Sequence, residues 1–373
     1  MPDLESCLIH HRQTHRLLVV LLFVCSTTAA SWGQALTGDA ISASDAGPFQ
    51  GQIDKYVAAQ LKRLSGTDAR AQMAAREALV KVTTSRNASP AFLDAYSESL
   101  NRQLEPIAQN KDVRVRLNAA IVTARVAKRA ANTRLAKAAQ AFVMDKSDAV
   151  VLWGLKAAQC IVPPLISSQL APGANQLGAA AVSSVKSHPG SAAIIEDAYN
   201  TVLLSVDPDL ADIDSAALGK FVAQPMALFD YRVSLYADGV PPEPRADEAG
   251  SAFFVKSKVW QAQTPAQQAH NLQSMVALCR GAAKQNAAEA TPELLDVIRR
   301  TGEAIKVAGN GFLNNPALGK AGGDLAGISS DTAAEDIETR IKAVEDAMKG
   351  PTSTTAGAPG AAAQATGTTG DGR

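Results

Sequence analysis

The sequence predicts an all-α protein, and three observations carry the prediction. Aromatic residues make up only 5% of the 373-residue chain while alanine is abundant, a balance that suits close-packed helices and leaves strands short of the residues they favour. Apolar residues recur at helical spacing, as Val113, Leu117, Ala120, Ala124 and Ala127 do, with Arg114, Asn118, Arg125 and Arg129 off that face. Residues able to cap a helix stand ahead of such runs, Asp112 ahead of this one. Its small alanines let neighbouring helices come close, and one such stripe buries too little apolar area to hold a fold by itself. The helix therefore needs others stacked beside it.

Taken in order, the chain opens with Arg12 and Arg16 ahead of an apolar run, Leu17 to Cys25, followed by small residues. Residues 1–35 are expected to be a secretory signal peptide, with Thr28-Ala29-Ala30 and Gly33-Gln34-Ala35 as alternative cleavage sites. The apolar run is too short to span a bilayer. Leu22-Phe23-Val24-Cys25 superficially resembles a lipoprotein cleavage box, with Val24 bulkier than that box tolerates. No later segment is expected to cross a membrane, so the protein is expected to be exported, to a periplasm or beyond. Residues 36–51 are small and polar and are expected to form a flexible leader.

Helices are then predicted over 52–65, after the cap pair Thr67-Asp68, and after Ser89-Pro90, the preferred cap-then-proline order. The Asp112 helix follows, then one over 132–144, then one from Asp148 that Pro163-Pro164 is expected to stop. Asp148 lies 36 residues after Asp112, a spacing within the range of helix-pair repeats. Asp112-Val113-Arg114 with Ala119-Ala120, and Asp148-Ala149-Val150 with Ala157-Ala158, resemble the units of HEAT and armadillo-type repeat proteins. The second copy departs from that pattern by carrying Val150, Val151 and Leu152 where an arginine is usual. The resemblance covers about two repeats and implies an α-solenoid of antiparallel helix pairs over 52–237.

Beyond Pro172 the rhythm weakens. Helices are predicted over 175–186 and 191–206, and one long helix over 215–236 kinked at Pro225. Residues 238–250 begin with Asp238-Gly239-Val240-Pro241-Pro242-Glu243-Pro244 and are expected to be a linker. A smaller helical group is expected over 251–349, with helices after Thr264-Pro265 and Thr291-Pro292, an irregular glycine-rich stretch over 309–327, and a last helix capped by Asp331. The tail, 350–373, is Gly, Ala, Thr and Pro with little apolar bulk and is expected to be disordered.

Net charge is zero, with 36 basic and 36 acidic residues, but it is unevenly spread. Residues 54–137 hold 16 Lys or Arg against 7 Asp or Glu, and residues 207–248 hold 3 against 9. Arg114, Arg116, Arg125, Lys128 and Arg129 are the candidate partner-binding basic face, fitted to an acidic protein or an envelope polyanion. The stretch lacks aromatic stacking platforms, which argues against nucleic acid.

Chemistry is sparse. After signal removal the histidines are His188 and His270, neither in a metal-spaced pair. Asp207, Asp209, Asp212 and Asp214 cluster, but a calcium loop needs glycine and a carboxylate where Asp212 and Leu218 stand. Cys160 and Cys279 lie in apolar runs, where they are either buried thiols or a disulfide pair. No phosphate loop and no nucleophile elbow occurs. No cofactor is expected. The leading expectation is an exported, non-enzymatic protein-interaction scaffold. Self-assembly is a further option, and the alternative is an enzyme or a small-ligand or metal-binding protein with its site near residues 207–244.

Overall fold

A computed structural model describes residues 35–206, 210 and 212–350. The expected signal peptide up to residue 34, the tail from residue 351, and Asp207 and Asp209 lie outside the described residues. The fold is all-helical, with no strand among those residues. The chain divides into two compact units between Pro225 and Met226.

The first unit starts inside the expected leader, which is ordered. Helix α1 (Gly38–Ser42) is capped by Thr37, and a 3-10 turn follows at Gly47–Phe49. Leu36, Ala40 and Ala46 are buried, and Ser89 N–H donates to the Ile41 carbonyl at 2.9 Å. Small residues that read as flexible in sequence are small here because they pack.

The helices that follow are α2 (Gln50–Leu64), α3 (Ala69–Lys81), α4 (Pro90–Ala108), α5 (Val113–Ala130), α6 (Ala136–Val143), α7 (Asp148–Ser167), α8 (Ala171–Ser187) and α9 (Ala192–Val202). Asp68, Ser89 and Asp112 cap α3, α4 and α5 through their side chains, as predicted. Each helix packs mainly on the next in the chain and the next but one. Thus α4 lies on α2, α5 and α6, while α5 lies on α3, α4, α6 and α7. A short helix, α10 (Ser215–Phe221), packs on α8 and α7.

Helix α5 is buried more widely than one stripe. Val115, Ala119, Val122 and Val126 join Ala120, Ala124 and Ala127 in the core, Leu117 is half-buried, and Val113 in the first turn is exposed. Asn118, predicted off the buried face, is buried and accepts from Arg76 at 3.1 Å.

Helix α7 corrects the sequence reading twice. It does not stop at Pro163-Pro164 but runs through both to Ser167. The prolines remove the N–H donors for the Gln159 and Cys160 carbonyls. Burial of Val162, Pro163, Leu165 and Ile166 on the neighbouring helices outweighs that loss. The helix is also long and apolar enough to cross a membrane, with a mean hydropathy of 1.6 over a window that is 61% buried inside the protein. Packing against α5, α6, α8, α9 and α10 accounts for that apolarity. Gly154 permits the closest contact, since a Cβ there would sit 2.5 Å from the Val143 backbone nitrogen.

The predicted long helix over 215–236 is two, α10 and α11 (Ala223–Leu235), broken at Val222 so that Pro225 falls in the first turn of α11, where a missing N–H is harmless. The second unit continues with α12 (Arg245–Phe254), α13 (Ser257–Ala262), α14 (Pro265–Ala288), α15 (Pro292–Val307), a π turn (Ala308–Phe312), α16 (Pro316–Ala326) and α17 (Ala334–Lys349). Helices α14, α15, α16 and α17 pack in a closed ring, each on the next and α17 back on α14, with α12 lying on α15 and α14. Thr264 and Thr291 cap α14 and α15 as predicted, the first in a full capping box with Gln267.

The proline stretch expected as linker lies within this second unit, and residues 245–250 are helical. Arg232 holds the stretch by donating to the Pro242 carbonyl at 2.6 Å and the Glu243 carbonyl at 3.2 Å. The glycine-rich stretch 309–327 is not irregular. Gly322 and Gly323 are contact points between α15 and α16, and Gly309 and Gly319 bring the π turn against α16; a Cβ on Gly322 would meet the Lys306 backbone nitrogen at 2.6 Å. The last helix begins after Ala333 rather than at an Asp331 cap.

Candidate functional site

The turns ahead of α3, α5 and α7 in the first unit are related in construction. Asp68, Asp112 and Ser147 precede α3, α5 and α7, and two residues before them stand Gly66, Asn110 and Asp145. Asn110 Oδ1 accepts from Asp112 N–H at 2.8 Å, and Asp145 Oδ1 accepts from Ser147 N–H at 2.8 Å, so both make the same side-chain-closed turn. Four residues after the cap, Gln72 donates to the Gly66 carbonyl at 2.6 Å and Arg116 to the Asn110 carbonyl at 2.7 Å. The counterpart of Asp112 is therefore Ser147, one residue before the Asp148 that sequence spacing picked out.

Arg116 also reaches the next turn. Its Nε donates to Asp145 Oδ2 at 2.7 Å and its Nη2 to Oδ1 at 3.1 Å, a bidentate pair with both side chains only 6% exposed. These hydrogen bonds raise the Arg116 pKa further, against the opposing effect of burial. His188, in the turn after α8, continues the chain of contacts. Its Nδ1 lies 2.8 Å from Asp148 Oδ1 and its Nε2 lies 3.3 Å from the Asp145 carbonyl.

The other members of the predicted basic face are mostly engaged within the protein. Arg114 pairs with Asp112 at 3.6 Å, Arg125 pairs with Glu77 at 3.3 Å, and Arg129 Nε donates to the Thr83 carbonyl at 3.1 Å. Lys128 is exposed with no ion pair among the described residues. Arg116 is thus a buried bridge rather than part of an open surface.

Beside that bridge lies a cavity of about 440 Å3, bordered by Gln109, Lys111, Arg116, Met144, Asp145 and Lys146. Lys111 and Lys146 are exposed and make no ion pair among the described residues, and Met144 is 55% exposed. With the Asp145 carboxylate neutralised by Arg116, the mouth is cationic with one large apolar side chain at its edge. Composition pointed to α5 itself. Of the basic residues predicted on α5 only Lys128 is free of an ion pair or side-chain hydrogen bond among the described residues, whereas the turns add Lys111 and Lys146, each next to the Asn or Asp that stands two residues ahead of a cap.

The other described candidates make contacts within the protein. His270 Nε2 lies 2.7 Å from Asp230 Oδ2, and Ser274 donates to the other oxygen of that carboxylate at 2.7 Å. Asp214 caps α10 by accepting from Ala217 N–H at 2.8 Å. Cys160, half-buried in the first unit, and Cys279, buried in the second, are free thiols. Burial pushes the Cys279 thiol up to about 12 and raises that of Cys160, which holds both in the unreactive form. Among the described residues no three His, Cys, Asp or Glu side chains converge as a metal site would require. No family model, no curated protein and no solved structure matches the chain.

Proposed function

We propose that the first unit is a HEAT-like α-solenoid and that the chain serves as an exported protein-interaction scaffold, binding an acidic partner at the turn edge around Lys111, Met144 and Lys146. The observation that carries this reading is the recurring turn. Equivalent residues close the turns ahead of α5 and α7, and Arg116 ties one to the other, which is how stacked hairpins hold register. Packing of helices chiefly on near neighbours in the chain supports the same view. Export rests on the N-terminal sequence pattern alone.

The turn edge is favoured over the predicted α5 face because both of its lysines are available beside a cavity, while on α5 only Lys128 is. Arg114, Arg125 and Arg129 would have to leave internal partners to meet a ligand, whereas Lys111 and Lys146 lose only water. A photo-crosslinking residue at Met144 tests the reading in cells that express the chain natively. One crosslinked acidic protein in fixed ratio, lost in the Lys111→Glu/Lys146→Glu variant, is the expected result. The same product with the charges reversed, or none from the wild type, overturns it.

A further inference from the structure

The second unit contains a cleft of about 420 Å3 between α12 and α15, a volume suited to a small ligand or one side chain. Ala249, Ala252 and Val307 expose apolar surface along it, with Ala304 buried beneath them. Glu248 lines the same cleft. Its Oε1 is shut off from solvent and has no hydrogen-bond partner, and the residue makes no ion pair among the described residues. An acceptor in that state costs about 1–3 kcal/mol relative to one that is satisfied.

The basic side chains at the cleft do not supply the missing donor. Arg300 pairs with Glu303 at 3.3 Å, and Arg245 lies 3.7 Å from Glu293. Burial, reinforced by Asp296, raises the Glu248 pKa against the pull of Arg300 and Arg245, so its surroundings hold too little positive charge for it.

We infer that this cleft binds an alkylammonium group, its N–H donors on Glu248 and its aliphatic chain along Ala249, Ala252 and Val307. An ammonium in the cleft matches the charge of the carboxylate, and a small rotation of the Glu248 side chain, which is only half-buried, brings the unpartnered oxygen to its N–H donors. A neutral amide supplies only the donor, and a carboxylate neither. The alanines leave room for an unbranched chain, the shape of a free aliphatic amine or of a lysine side chain from another protein. This inference stands apart from the scaffold reading, since every residue in it belongs to the second unit.

The test is methyl NMR on the purified full chain labelled at alanine and valine, titrated with n-butylammonium, n-butanol, butyrate and the capped peptide acetyl-Gly-Lys-Gly-amide. The Ala252 and Val307 methyls are expected to shift saturably with the amine and not with butanol or butyrate. Glu248→Gln should weaken the amine at least about tenfold, the loss of one charged hydrogen bond, with the other methyl signals unmoved as proof of fold. Ala252→Leu, which fills the cleft but keeps the carboxylate, should block it as well. Saturation by n-butylammonium identifies a free amine as sufficient, and saturation by the peptide alone identifies a partner's lysine. Equal binding of butyrate or butanol, retention of the amine by Glu248→Gln, or no saturable shift with either amine probe overturns the inference.

Discussion

Arg116–Asp145 in the first unit and Arg232–Asp247 in the second are the same chemistry put to different uses. Arg116 pairs from the turn ahead of α5 to the turn ahead of α7, beside a cavity, with each side chain 6% exposed. Arg232 and Asp247 are fully enclosed at 0%, and Tyr236 donates to the same carboxylate at 3.0 Å while Arg232 holds the 242–243 carbonyls. That network pins an irregular proline segment to a helical core. Where one turn faces the next, a pair links them. Where the chain must turn back without a helix, a pair replaces the missing backbone bonds.

Removing one partner separates the two uses. Asp247→Ala leaves the Arg232 guanidinium buried without its counter-charge and the Tyr236 hydroxyl without its acceptor. The expected loss is about 3–5 kcal/mol, read by denaturant unfolding. Hydrogen exchange should localise it, with protection falling in α11 and α12 and persisting through α4 to α7. A global loss of protection from both regions would show that the two pairs are not local devices.

Helix contact offers the next distinction. Gly322→Ala places a Cβ 2.6 Å from the Lys306 backbone nitrogen, and backbone, unlike a side-chain tip, does not yield cheaply. About 3 kcal/mol of destabilisation is expected from the forced separation of α15 and α16. Asp145→Ala should do less, about 2 kcal/mol, because the edge position lets water reach Arg116 once its partner is gone. If Asp145→Ala proved as damaging as Asp247→Ala in the same unfolding experiment, the distinction between an edge bridge and a core pin would fail.

The same contrast decides what could be read from the sequence. Caps at Asp68, Ser89, Asp112, Thr264 and Thr291 were legible because a cap acts within three residues of itself. Local rules misled wherever tertiary packing overrode them. Pro163 and Pro164 read as a stop, yet α7 is buried among five helices that carry it through. The stretch from 309 to 327 read as loop, yet Gly322 and Gly323 in it mark where α16 meets α15. Composition placed the basic face on α5 because it counts charges without their partners, which lie far along the chain at Glu77, Thr83 and Asp145. The Glu248 cleft had no sequence signal at all, since an unpartnered oxygen is defined by what fails to reach it.

The smallest expected effects concern two carboxyls with pKa shifts of opposite sign, one in each unit. Burial raises Asp54, but hydrogen bonds from Ser99 and Gln50 and the Arg102 charge outweigh it and hold its carboxyl below its ordinary value of 3.8. Its contribution to stability is therefore present above that value and is lost as pH falls through the lower, folded one. Glu248 is the reverse, raised above its ordinary value of 4.5 by burial. Its neutral form is favoured in the folded chain, so that contribution is present below 4.5 and is lost as pH rises through the folded value. Asp54→Asn should accordingly lower the melting temperature at neutral pH, with the difference closing in acid. Glu248→Gln should raise it at neutral pH, a stabilisation of about 0.5 kcal/mol once solvent screening is allowed for, and that difference should also close in acid. Melting curves of both variants and the wild type across one pH series provide the comparison, and differences of the same sign would mean that Glu248 is ionised and paired in solution, which would remove the open acceptor from the cleft.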